Sequence, residues 1–188
     1  DAISGMVIST AAYDSNLVNK VIELNSLTDA IAKGITPALD TTHTTKVYAE
    51  VAEFYRIAPG VKLFLLVLNS SATLTAVADV ANANNLVKLL RSQEAAGKIR
   101  QVAIGADDAV STSFGDVLTR TVNGQVVTHT GAIVKAQALA LAEEALKRPV
   151  HIIVEGKHFT GTGTNALDLR EANCNHVAVY IGKNSTPT

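Results

Sequence analysis

Residues 161–166 read Gly161-Thr-Gly163-Thr-Asn-Ala166, which is the G-x-G-x-x-A spacing of a dinucleotide-binding turn. In such a turn the glycines let the main chain approach a pyrophosphate, and the N–H groups of the following helix attract it. The stretch lies between a strand-like run at 150–155 and a helix-like run at 166–172, which is the context that chemistry needs. Three features oppose it. The turn opens the last βα unit rather than the first. Lys157, His158 and Phe159 lengthen the loop before the glycines. Lys183 also stands after the next strand, where an acid would hold a ribose. An ordinary βα loop is the first reading; a nucleotide- or phosphate-binding enzyme using Gly161, Gly163 and Ala166 is the alternative.

Other chemistry-bearing residues are scattered. Ser9, Thr10 and Ser15, with Tyr13, Asp14 and Asn16, follow the first strand as a phosphate-holding loop would, but the turn has no glycine and leads to another strand. Asp107 and Asp108 are adjacent carboxylates past the end of a predicted strand, and a hard cation there would need further oxygen ligands from elsewhere. His43, His129, His151, His158 and His176 have no metal-ligand spacing. Cys174 sits between Asn173 and Asn175 with no neighbour to activate a thiolate. Neither a Walker loop nor a nucleophile elbow occurs. These residues assign no catalytic group, metal site or cofactor, and they favour a protein that is not an enzyme.

The composition sets the scale on which such residues would be positioned. The chain has 188 residues, 47% of them apolar and 18% charged, enough for one sizeable globular core. Sixteen basic against 17 acidic residues give a net charge of −1 with no basic block, so no electrostatic footprint for nucleic acid exists. The run 63–68 is far short of the roughly 18 apolar residues of a membrane span. With one cysteine, an intrachain disulfide is impossible. The chain starts at Asp1 with an apolar run from Ile3, and it reads as a fragment or processed piece.

β-branched apolar runs predict strands at 3–9, 20–24, 62–68, 99–104, 150–155 and 176–181, with 62–68 central in the sheet. Helices are predicted at 27–33, where Ser26 offers an N-cap and Gly34 a C-cap, and at 42–58, where Val47, Val51, Phe54 and Ala58 share one face. Further helices follow at 74–81, 86–96 (stopped by Gly97), 133–147 (closed by Pro149) and 166–172. The alternation predicts an α/β fold of three layers, a mostly parallel sheet flanked by helices. Asn123-Gly124 between two β-prone arms predicts an inserted hairpin at 120–129. The organisation expected is one domain over 1–183 with an insertion at 107–130, then a tail or cut linker at 184–188.

The order of segments carries a family resemblance. "ISGMVIST", "VIELNSLTDAIAKGIT", "KVYAEVAEFYRIAPGVKLFLLVL", "LVKLLRSQEAAGKIRQVAIG", "KAQALALAEEALKRPVHIIVEGKHFTG" and "DLREANCNHVAVYIG" follow one another. This succession resembles the core of contractile tail sheath proteins, in particular the sheath-like proteins of phages and prophages of Bacteroides-type bacteria. The matching stretches are 26–35, 53–63, 90–102 and 148–161; 110–129 matches least. The resemblance implies a structural subunit that polymerises into a helical tube around an inner tube and shortens to drive it through a membrane. It implies as partners copies of the chain itself, inner tail tube proteins and baseplate proteins, with no nucleic acid and no membrane insertion. It also implies no catalytic residue and a place in a virion tail assembled in the bacterial cytoplasm. The extended arms that link sheath subunits are not recognised here. Eight aromatic residues in 188 give little material for aromatic anchors, so contacts would fall to edge strands and polar rims.

Overall fold

The computed structural model describes residues 3–10, 16–69, 72–106, 118–122, 125–129, 131–155 and 174–180. In chain order the elements are β1 (Ile3–Thr10), β2 (Val21–Leu24), α1 (Leu27–Ala32), α2 (Pro37–His43), α3 (Val47–Ile57), β3 (Lys62–Asn69), α4 (Leu74–Val77), α5 (Leu86–Leu90), β4 (Gln101–Ala106), β5 (Leu118–Val122), β6 (Gln125–His129), α6 (Gly131–Ala145), β7 (His151–Glu155) and β8 (Val177–Tyr180).

β3 shows how the layers arise. Its residues 63–68 are all buried, and alternate side chains leave on opposite faces. Leu63, Leu65 and Val67 join a cluster with Ala30 of α1 and with Val47, Val51 and Tyr55 of α3. Phe64, Leu66 and Leu68 join the larger cluster with Leu74 and Val77 of α4, Leu86 and Leu89 of α5, and Ala136, Leu139 and Ala140 of α6. A strand apolar on both sides is what a helix-covered parallel sheet demands.

The six-stranded sheet runs β2-β3-β1-β4-β7-β8, with every neighbouring pair parallel except β2 against β3. The expected α/β class is therefore found. From β1 to β3 the chain moves one way with α1 and α3 on one face. From β3 to β4 and on to β7 it moves the other way with α4, α5 and α6 on the opposite face. Changing face together with direction keeps the crossover hand constant, as right-handed connections require. β3 is interior but second from the edge; β1 and β4 occupy the middle. Gly5 of β1 lets α5 come close, since a Cβ there would lie 3.1 Å from Leu89 Cδ2.

Several predicted boundaries move. The single helix expected at 42–58 is two, because Thr44 takes φ +53 and ends α2. α4 and α5 stop at 77 and 90 instead of 81 and 96, and turns follow α5 up to Gly97. The hairpin forms as expected between β4 and α6, with β5 and β6 paired antiparallel as a separate two-stranded sheet. The helix expected at 166–172 and the tail at 184–188 lie outside the described residues.

Candidate functional site

In an open α/β sheet the working crevice lies beyond the carboxyl ends of the strands where the order reverses, here at β1 beside β4. Close to the carboxyl end of β1 stands Ser9, which is buried at 2% exposure. Its hydroxyl is 3.0 Å from the carbonyl of Asn69 and 2.8 Å from that of Ala72, so its one proton is shared between main-chain acceptors leaving β3. That makes Ser9 a latch between β1 and the β3 exit. The strand also runs on to Thr10, inside the loop expected from sequence. Gly161, Gly163 and Ala166, with Lys157, His158 and Phe159, lie outside the described residues, as do Asp107 and Asp108.

Three of the five histidines have described surroundings. His43 ends α2, His151 is exposed at the start of β7, and His176 precedes β8. Among the described residues no group of three or more His, Cys, Asp or Glu could hold a metal ion. Burial pushes the Cys174 thiol up from its ordinary value, away from the thiolate that reactivity needs.

The structure instead gathers polar groups around α6. Glu143 has 2% of its side chain exposed, and its Oε1 lies 2.7 Å from Arg91 Nε. Arg148 Nε lies 3.2 Å from Oε2 but makes no hydrogen bond, because its N–H does not point at the oxygen. The carboxylate thus neutralises guanidinium groups from α5's end and from the turn after α6. Arg148 also lies over Gly97, where a Cβ would come within 2.5 Å of Arg148 Cδ. Gln137, buried on α6, donates from Nε2 to Asn175 Oδ1 at 2.7 Å and accepts from the His176 N–H at 3.0 Å. His176 Nε2 lies 3.4 Å from Glu144 Oε2. Lys135 reaches Asp79 at 2.9 Å, and the Ala81 N–H, ahead of Lys135, holds the Asp79 carboxyl below its ordinary range.

These groups hold α6 to its neighbours: Glu143 to α5 and β7, Gln137 and Glu144 to β8, Lys135 to α4. Sequence reasoning did not single out Glu143, Gln137 or Arg91. Only Glu143 and Arg148, five apart, were near enough in the chain to suggest a pair. An open groove of about 720 Å³ lies beside β2 and α5, lined by Lys20, Val21, Val87, Lys88, Arg91 and Glu94 among others. Lys88 Nζ already donates to the Asn19 carbonyl there at 2.6 Å, and Arg91 is paired with Glu143.

Compared with protein-family models, curated proteins and solved structures, the chain matches none.

Proposed function

We propose that this chain is the core of a contractile tail sheath subunit, a structural protein that polymerises into a helical tube and drives an inner tube through a membrane when it shortens. The observation that carries the reading is the division of the described chain into two parts. One is a sheet with a buried cluster on each face, the larger spanning β1, β3, β4 and β7 and the smaller lying over β1, β2 and β3; the other is a hairpin that pairs with no other described strand. A subunit that moves as a body while its contacts repack needs a stiff interior and separate contact elements. Contacts between unlike surfaces that do not close into a ring produce a helical filament. The sheet ends in β8, whose outer side pairs with no described strand, and this edge suits main-chain pairing with a neighbour.

Two stretches that carry the resemblance also meet in space, since Gly97 of 90–102 leaves the room that Arg148 of 148–161 fills. On this reading the partners are copies of the chain, inner tail tube proteins and baseplate proteins, and the place is a virion tail assembled in the bacterial cytoplasm. The residues do no covalent chemistry.

Electron microscopy of the intact protein tests the proposal, with striated tubes as the expected result. Protein that stays as single particles at high concentration overturns it. A thermal-shift panel with NAD, NADP, FMN and ATP is the complementary measurement, because a ligand at one hundred times its dissociation constant stabilises by about 2.7 kcal/mol. A shift abolished by Gly163→Val would replace the sheath reading with the nucleotide-binding one.

A further inference from the structure

Among the described strands β2 lies at an edge of the sheet, and its outer side is not bare main chain. The Asn19 N–H donates to the Val67 carbonyl at 2.8 Å, so the main-chain groups of Val67 face the β2 side. By alternation along β3, those of Leu65 and Leu63 do the same, and their partners Ile22 and Leu24 face inward. The main-chain groups of Val21 and Glu23, and of Asn25 just past the strand, therefore face outward.

Two side chains of α1 meet these outward groups. Lys33 Nζ donates to the Glu23 carbonyl at 2.5 Å. Asp29 Oδ2 accepts from the Asn25 N–H at 3.0 Å and lies 3.4 Å from that residue's side-chain amide nitrogen. Lys33 and Asp29 are themselves paired at 3.1 Å. A carbonyl on one residue and an N–H two residues later are the two groups that a single residue of an added parallel strand would engage. The ion pair stands where that residue would stand, with its cation as donor and its carboxylate as acceptor. The Asn25 N–H, ahead of Lys33, holds the Asp29 carboxyl below its ordinary range, so that carboxylate stays charged in neutral solution. Lys62 adds a further charge, 2.5 Å from Glu23 Oε1. Lysines on edges are a known means of discouraging strand pairing.

We propose that the Asp29–Lys33 pair seals the β2 edge against strand addition, and that opening it lets this edge pair with the same edge of a second copy of the chain. An edge meeting its own copy makes a two-fold, antiparallel contact, and that too needs the Glu23 carbonyl and the Asn25 N–H that Lys33 and Asp29 occupy. The inference does not depend on the tail-sheath reading, because it concerns an edge kept out of use.

Sedimentation of the full chain tests it. Lys33→Met removes the donor and leaves the Ser26 cap on the Asp29 N–H in place. It should tighten self-association at least tenfold over the parent, whereas Lys33→Arg should sediment as the parent does. Asp29→Ala, which removes the acceptor of the Asn25 N–H, should give the same gain as Lys33→Met, and it carries the test if the methionine variant does not fold. Adding Val21→Pro removes an outward N–H and should abolish the gain. Folded Lys33→Met and Asp29→Ala variants that sediment like the parent overturn the proposal. So does a gain in association that survives Val21→Pro.

Discussion

Gly97 has φ +67, and the space where its side chain would be is taken by Arg148. Two separate costs follow for Gly97→Ala. The left-handed main chain costs an alanine about 1–2 kcal/mol, and the methyl group also pushes Arg148 away from Glu143. The variant should therefore lose more than the first cost alone in chemical denaturation, while in an Arg148→Ala background its loss should fall back to the main-chain part. Equal losses in the two backgrounds would show that the contact with Arg148 is not what holds the site. Tyr55 presents the opposite case. Its ring is buried against the α1–α3 cluster, but its hydroxyl finds no hydrogen-bond partner among the described residues. Burial, with the charge of Asp29 second, pushes its pKa up to about 12. A phenol that ionises at about 10 unfolded and about 12 folded gives stability that is whole below pH 10 and lost as pH rises toward 12. Tyr55→Phe should stabilise the protein at neutral pH by about 1 kcal/mol, because it removes an unpaired buried group. Its stability should also fall less than the parent's between those two pH values, measured by denaturation midpoints. A lower midpoint at neutral pH would mean that the hydroxyl has a partner after all.

At the scale of elements, most of what was legible in the sequence was period and punctuation. β3 was plain because six consecutive apolar residues cannot be half-exposed, and α1 was plain because Ser26 and Gly34 mark both its ends. The helix expected at 42–58 was misjudged because its N-cap is not adjacent to it. Lys46 makes no side-chain cap bond, and Asp40, from the preceding helix, accepts from the N–H groups of Tyr48 and Ala49 at 3.0 and 2.9 Å. An apolar spacing cannot report a cap supplied by another helix. The α6 network was hidden for the same reason, since Arg91 and Glu143 are 52 residues apart. Its consequence for an element is testable through β8, a strand of four residues whose leading turn hangs on Gln137. Gln137→Leu keeps the volume but leaves Asn175 Oδ1 and the His176 N–H without this partner, a change that costs about 1–3 kcal/mol. Hydrogen exchange should then quicken at Val177–Tyr180 while the amides of β1 keep their protection. Uniform quickening across the sheet would instead mean that Gln137 supports the whole core rather than the docking of one strand.

For the whole molecule, what matters is which parts can be removed without losing the rest. The order of the six strands closes through β1, β3, β4 and β7, whose side chains build the clusters, and β5 and β6 pair in a separate two-stranded sheet. The fold class could be read from alternation alone, but the sequence could not say that the sheet would order itself β2-β3-β1-β4-β7-β8, because strand order rests on contacts between distant segments. The hairpin was legible from Asn123-Gly124, because a hairpin-turn dipeptide between two β-prone arms is a signal local by nature. Deleting residues 120–130 and joining the ends with a short Gly-Ser link should thus leave the six-stranded sheet folded. The melting temperature should stay near the parent's, and the amide-exchange pattern of β1, β3 and β4 should be kept. If copies of the chain touch through the hairpin, the same deletion should abolish or shorten the tubes seen by electron microscopy. Loss of folding would place the hairpin in the core and remove it as a contact element. Normal tubes from a folded deletion variant would leave assembly to the sheet edges alone, and the search for the contact would then move to the outer side of β8.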